Sequence, residues 1–221
     1  QRHEDTSLEG LAVSTDPETP WHQIMPDAPL MQIVADGKDL EDITKSLLRG
    51  DNDYIILEEM RDAAAFKLAV DVTSIGTVRS KATIHAGDAH DIPYKMASAI
   101  SAKYGGDLKP LIARIFRSFN YVIELYQVPS DRSRKRLKGI SEYRYDPISA
   151  TVSIHTICRY DEISKRWRWK YDIGEDKKNM GKLQPDEFKR MEEMLKMLES
   201  KNPIMENTVI YPRYYGDGGG N

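Results

Sequence analysis

Asp53-Tyr54-Ile55-Ile56-Leu57-Glu58-Glu59-Met60-Arg61-Asp62 is the stretch whose reading decides the fold. Tyr54 to Leu57 form a short apolar run without polar alternation. Such a run reads as a strand covered on both faces, as strands of a parallel sheet are. The run passes directly into two acids. In open parallel sheets, ligands gather outside the carboxyl ends of the strands. A carboxylate held there by a buried strand can bind Mg2+ through water or orient a water for attack on a γ-phosphate. Taken alone, the same pattern also fits a buried strand that simply reaches solvent at its end.

The flanking sequence repeats the alternation. Residues 62–72, with Phe66, Leu68 and Val70 among alanines, read as a helix. Residues 82–84 read as a short strand delivering His85, and residues 96–100 and 108–116 as two further helices. Upstream, residues 31–34 suggest a strand. Residues 39–48 suggest a helix, with Leu40, Ile43, Leu47 and Leu48 on one face. The rest of residues 1–40, broken by Pro17, Pro20, Pro26 and Pro29, reads as an irregular surface segment. Strands alternating with helices imply an α/β fold around a parallel sheet. If the strands before Glu59 and His85 are neighbours, a carboxylate and an imidazole share one edge. An imidazole there can donate to a phosphate oxygen and change contacts when the γ-phosphate leaves. A lone histidine is more often structural.

From Asn120 the pattern changes to strands at 121–127, 137–145, 151–160 and 166–171, punctuated by Asp146-Pro147 and Gly174. These are expected to be antiparallel and to extend the sheet. Phe188, Met191, Leu195 and Leu198 mark an amphipathic helix that begins near Gln184-Pro185. The tail, ending Gly218-Gly219-Gly220-Asn221, is expected to be flexible.

Composition bounds the rest. In 221 residues the net charge is -3 and the sequence pI near 6.0, with 30% charged and 40% hydrophobic residues. That describes a soluble folded domain with no general attraction for nucleic acid or anionic lipid. The single cysteine, Cys158, allows no intramolecular disulfide and reads as a buried small residue rather than a nucleophile. No apolar run approaches the ~20 residues that span a bilayer. A chain opening on Gln1 is expected to be part of a longer protein.

With Gly76-Thr77-Val78-Arg79-Ser80-Lys81-Ala82-Thr83-Ile84-His85-Ala86 added, the pattern resembles the type II/IV secretion ATPase family, which includes conjugation, tight-adherence and pilus motors. That family carries an acidic box after its P-loop strand, matched here on Glu4-Asp5-Thr6. A helix ending Leu-Arg follows, matched on Leu48-Arg49. An Asp leads into an apolar strand ending Glu-x-Arg, matched on Asp53 to Arg61. A histidine box closes the series, matched on Gly76 to Ala86. Phe119-Asn120-Tyr121-Val122-Ile123-Glu124-Leu125 and Arg136-Leu137-Lys138-Gly139-Ile140-Ser141-Glu142 resemble its late β segments.

The resemblance implies a RecA-like central parallel sheet flanked by helices and extended by C-terminal antiparallel strands. It implies a partial ATPase domain over residues 1–175, and a C-terminal helix and tail over 176–221. It also implies ATP and Mg2+ as cofactors. Glu59 would be the Walker B glutamate, Glu4 and Asp5 the acidic box near Mg2+ and the attacking water, and His85 the sensor of the γ-phosphate. Glu59 and Asp5 would stand nearest the metal, with Arg49, Arg61 and Thr83 nearest the nucleotide. The expected assembly is a cytoplasmic homo-hexamer, peripheral to the inner face of the membrane and docked on an inner-membrane platform protein. No transmembrane segment and no direct nucleic acid are expected.

The departures matter. Glu58 replaces the family's small residue, Thr77 its first histidine, Ile75 a preceding threonine and Asp51 an arginine. No Gly-x-x-x-x-Gly-Lys-[Ser/Thr] occurs. The family places that loop just upstream of Glu4, so residues 1–221 alone are expected to bind ATP weakly or not at all and to be inactive. A non-hydrolysing regulatory member of the family is the alternative. A further alternative is a metal-dependent hydrolase built on His85, Asp88, His90 and Asp91, although those residues also read as a polar loop capping the next helix. The basic run from Arg132 to Lys138 could touch nucleic acid or anionic lipid, but reads better as a solvated hairpin turn between two strands. Trp167 and Trp169, alternating with Arg166, Arg168 and Lys170, read as a strand with one packed face rather than a base-stacking platform.

Overall fold

The structure is a computed structural model and describes residues 8–35, 37–47, 52–73, 79–128, 131–181, 184–205 and 209–210. In chain order its elements are β1 (Gly10–Ser14), α1 (Trp21–Ile24), β2 (Leu30–Val34), α2 (Gly37–Leu47), β3 (Tyr54–Leu57), α3 (Ala63–Thr73), β4 (Lys81–Ala82), α4 (Asp91–Tyr104) and α5 (Leu108–Ser118). These are followed by β5 (Tyr121–Val128), β6 (Asp131–Asp146), β7 (Thr151–Asp161), β8 (Arg166–Trp169), α6 (Glu175–Gly181), α7 (Pro185–Lys201) and β9 (Val209–Ile210). Two compact units emerge. The first comprises residues 1–87 and 91–118, the second residues 88–90 and 119–221.

The first unit holds a parallel four-stranded sheet in the order β2-β1-β3-β4. Tyr54 to Leu57 are buried on both faces, the physical consequence of an apolar run with no polar alternation. The central strand is β1, every residue of which is buried. This corrects the expectation of an irregular surface segment before the strand at 31–34. Leu11-Ala12-Val13 is itself an unalternated apolar run, but too short to stand out among the prolines that follow it. Asp62 caps α3 by accepting the Ala65 N–H at 2.9 Å. That helix, buried from Ala64 to Val72 except at Lys67, packs against α2, α4 and α5. Its buried Asp71 is paired with Arg114 of α5 at 2.8 Å and with Lys67.

One close approach fixes the register of β1. Gly10 lies opposite Tyr54, and a Cβ there would fall 2.3 Å from Tyr54 Cζ. Tyr54 is fully buried, so its ring has nowhere to retreat. Gly10→Ala is therefore expected to cost about 1–3 kcal/mol by overpacking. The check is a lower urea midpoint at unchanged slope.

The second unit is built on β5-β6-β7-β8, all antiparallel, with β9 also paired to β7. The α/β class and the antiparallel C-terminal strands stand as read from the sequence. The strands hydrogen-bond among themselves as a second sheet rather than adding to the first. The long β6 pairs with β5 on one side and β7 on the other. β-bulges beside Glu124, Gln127 and Ile140 shift the register. A cluster of Ile157, Ile173 and Leu195, joined by Ile140, Trp169, Tyr171 and Met191, packs α7 against the sheet. Cys158 is buried, and burial pushes its thiol up to about 11, so it is not a nucleophile at neutral pH. Among the described residues no helix is long and apolar enough to cross a membrane.

Candidate functional site

The carboxyl edge of the parallel sheet gathers the polar side chains of the first unit. The pairing of β3 with β4 continues past both strands, which ties the two loops together. Thr83 N–H donates to Leu57 O at 3.1 Å, and Met60 N–H to Thr83 O at 2.8 Å. The Thr83 hydroxyl donates to the Glu58 carbonyl. The strand expected at 82–84 ends at Ala82. Beyond it, this ladder, with Thr83 as its hinge point, carries the chain to His85. Lys95 of α4 donates to the His85 carbonyl and fixes the far side of the loop.

Glu59 and His85 consequently meet, with His85 Nε2 3.4 Å from Glu59 Oε1. The other carboxylate oxygen of Glu59 is paired with Arg61. Glu59 is largely enclosed, its side chain 23% exposed, whereas His85 is 93% exposed. The carboxylate is thus held, and the imidazole is free to meet a ligand. The Arg61 guanidinium hydrogen-bonded to Glu59 holds that carboxyl below the usual carboxylate range. Slight burial opposes this, and His85 adds a smaller contribution in the same direction. Glu59 is therefore anionic throughout the neutral range. Arg61 is in turn raised, chiefly by Glu59 and then by Asp16 and Glu18.

Asp16 and Glu18 are acids the sequence reading passed over. They follow β1, the strand next to β3, so they leave the sheet at the same edge as Glu59. The signal lay in Thr15-Asp16-Pro17-Glu18 directly after an apolar run, and it became legible only once β1 was recognised as a buried strand. Glu58 takes a different partner from Glu59. Its Oε1 accepts the Trp21 indole N–H, and its buried Oε2 has no hydrogen-bond partner among the described residues. Glu4, Asp5, Leu48, Arg49, Asp51 and Thr77 lie outside the described residues.

The edge carries carboxylates of the kind a magnesium-bound phosphate needs, although among the described residues they are not gathered into a ligand set of three or more. Mg2+ keeps most of its waters and takes one or two carboxylates beside the phosphates. Glu59, Asp16 and Glu18 offer such oxygens, and Glu58 adds a buried oxygen without a partner. The alternative metal cluster is not assembled as a ligand set. The His90 backbone N–H donates to Asp88 Oδ1 at 2.7 Å and its ring Nδ1 lies 3.2 Å from the same atom, while Asp91 opens α4. Among the described residues no group of three or more His, Cys, Asp or Glu is placed to hold a metal ion.

Comparison with known proteins bears on the family and the fold. The family model described as type II/IV secretion system protein matches residues 28–154. No curated protein matches the chain. Among solved structures, the chain is similar to the VirB11 ATPase from the Brucella suis type IV secretion system in complex with sulphate. The TM-score is 0.53 at 17% identity, over 66% of this chain and 42% of that one. The chain is also similar to the Legionella pneumophila ATPase DotB, with a TM-score of 0.48 at 14% identity over 74% of this chain and 40% of that one. The chain thus spans less than half the length of either, and at 17% identity the likeness to VirB11 shows the α/β fold alone. Since the family match covers more than half of a chain whose parallel sheet brings Glu59 and His85 to one edge, this chain belongs to the type II/IV secretion system protein family.

Proposed function

We propose that this chain is the catalytic part of an ATP-hydrolysing motor subunit of a secretion, conjugation or pilus machine. The observation that carries the reading is the Arg61–Glu59–His85 constellation at the carboxyl edge of a parallel sheet. Glu59, held anionic by Arg61, would orient the attacking water and accept its proton. His85 would donate to the γ-phosphate and lose that contact on hydrolysis, reporting nucleotide state. Asp16 and Glu18 would share the acidic role with Glu59, and Thr83 would hold the Glu59 loop in place. When bound, Mg2+ would neutralise phosphate charge. The N–H cradle and lysine of a P-loop do not occur in residues 1–221, so the reading takes them from further sequence of the same polypeptide.

In this reading residues 1–175 form the partial ATPase domain and 176–221 its C-terminal appendage. The active species is a homo-hexamer at the cytoplasmic face of an inner-membrane platform protein, with ATP between subunits. Arg61, 55% exposed on its side chain, would serve that interface or the phosphates.

Phosphate release by the full-length protein tests the proposal. Saturable, Mg2+-dependent ATP hydrolysis is expected, with His85→Ala lowering the turnover by about tenfold or more. Tight ATP binding without hydrolysis would favour the non-hydrolysing regulatory alternative. Absence of both binding and hydrolysis would overturn the nucleotide reading altogether.

A further inference from the structure

Two sequence features that the proposed function leaves unused converge in the second unit. The basic run enters β6 and contributes Arg136, which pairs across the strands with Tyr126 of β5. The tryptophan strand β8 places Trp167 opposite Tyr160 of β7. These four residues, with Leu137, line a half-open cavity of about 250 Å³. In sequence the two groups lie some thirty residues apart and read as an exposed turn and a packed strand. Only the sheet brings them to one hollow.

The walls pack on one another. Tyr160 and Trp167 lie 5.6 Å apart at an interplanar angle of 60°. Trp167 in turn rests on Trp169 at 5.9 Å, and Trp169 is packed on the core under α7. Burial, and then the neighbouring Glu162 carboxylate, hold the Tyr126 phenol above its ordinary value. The acids near the rim already have cations. Glu162 pairs with Lys165 at 3.1 Å, Asp161 with Arg168 at 2.9 Å, and Asp131 with Arg134 at 3.9 Å. Arg136 is exposed and forms no ion pair among the described residues.

A preformed aromatic hollow beside an uncompensated guanidinium selects a flat π-system that carries negative charge next to it. The volume lies below the ~300 Å³ at which pockets begin to enclose a whole drug-sized ligand, so one ring system fits and the remainder stays outside. An isolated cation would be repelled by Arg136. A single strand of nucleic acid presents such groups, a base flanked by phosphates. We propose that the Tyr126–Arg136–Tyr160–Trp167 cavity is a binding site for single-stranded nucleic acid. One base stacks on Trp167 with its edge against Tyr160, and Arg136 holds the adjacent phosphate. This revises the expectation of no direct nucleic acid, and it is independent of the ATPase reading, since no residue of the cavity belongs to the Glu59 edge.

The test is fluorescence anisotropy of the full-length protein with a fluorescein-labelled oligothymidylate of about twelve nucleotides. Saturable binding is expected, weakening as salt rises from about 50 to about 200 mM. Trp167→Leu and Arg136→Gln should each weaken it by about tenfold, and Arg136→Gln should also flatten the salt dependence by about one unit of slope. Trp167→Phe should restore most of the affinity lost in Trp167→Leu. Arg136 is exposed, so its variant keeps the test intact should Trp167→Leu disturb the sheet. The proposal is overturned by absence of saturable binding, or by unchanged affinity in Arg136→Gln. Equal competition by duplex DNA of the same length would also overturn it. So would binding to phosphatidylserine vesicles through Trp167 with none to the oligonucleotide, an outcome that would make the hollow, with the exposed Ile163 nearby, a lipid contact.

Discussion

Glu59→Gln in the full-length protein is expected to lower ATP hydrolysis by about 10²–10⁴-fold while leaving nucleotide affinity nearly unchanged. Glutamine keeps the shape of the side chain and can still accept from Arg61, so the loop tied by Thr83 should stay in place. What disappears is the anionic oxygen that takes the proton of the attacking water. Measured kcat should fall with KM within a fewfold, the pattern of an interaction made in the transition state. Because Arg61 holds the Glu59 carboxyl below the usual range, the wild-type acid limb should not reflect this residue above about pH 4. A variant with more than a tenth of wild-type turnover would remove Glu59 from the chemistry.

Glu142→Ala is expected to cost the second unit about 3–5 kcal/mol, the range for stripping one partner from a buried ion pair. Glu142 is fully buried. It accepts from Arg144 Nε at 3.0 Å and from the Gly174 N–H at 3.1 and 3.3 Å. Arg144 reaches on to Asp172 at 2.9 Å, and Asp172 holds His155 at 2.7 Å, whose other ring nitrogen meets Ser153 at 2.8 Å. Alanine would leave Arg144 half-compensated and the Gly174 N–H without its acceptor. The site is also tight. A Cβ on Gly174 would fall 2.5 Å from Glu142 Oε1 and 2.8 Å from Asp176 Oδ1, so glycine is required there.

The same network gives a pH dependence. Burial pushes the Asp172 carboxyl up, but His155 and Arg144 outweigh it and hold it below its ordinary value. A depressed carboxyl contributes stability that is present above the unfolded value near 4 and is lost as pH falls through the folded value. Unfolding in urea, followed by the fluorescence of Trp167 and Trp169, should show the loss in Glu142→Ala at neutral pH. In wild type it should show a stability that declines only in acid, below about pH 4. A cost below about 1 kcal/mol would mean the network is not a determinant of stability.

Where the sequence was read correctly, the signal was local. The Tyr54–Leu57 run could not be anything but a covered strand, and Phe66, Leu68 and Val70 among alanines announced a helix. Residues 121–160 alternated closely enough to give antiparallel strands. The edge shared by Glu59 and His85 was accessible as well, because each stands just past the end of a short apolar strand. The misreading at the start of the chain has a local cause. A five-residue strand such as Gly10–Ser14 carries too few residues for a period to show, and the prolines that follow it pointed to a loop. With that strand unseen, Asp16 and Glu18 had no edge to belong to.

The amino-acid sequence by itself determined the class of the fold, the type of each longer element and the chemistry available at Glu59 and His85. Hydrophobic period and strand ends are properties of neighbours in the chain. Only the tertiary structure decided that β1 is central, that the C-terminal strands close a sheet of their own, and that Arg136 faces the same hollow as Trp167. Those facts depend on which strands exchange hydrogen bonds across long separations. That choice is made by the burial of whole faces at once and is written in no single stretch of residues.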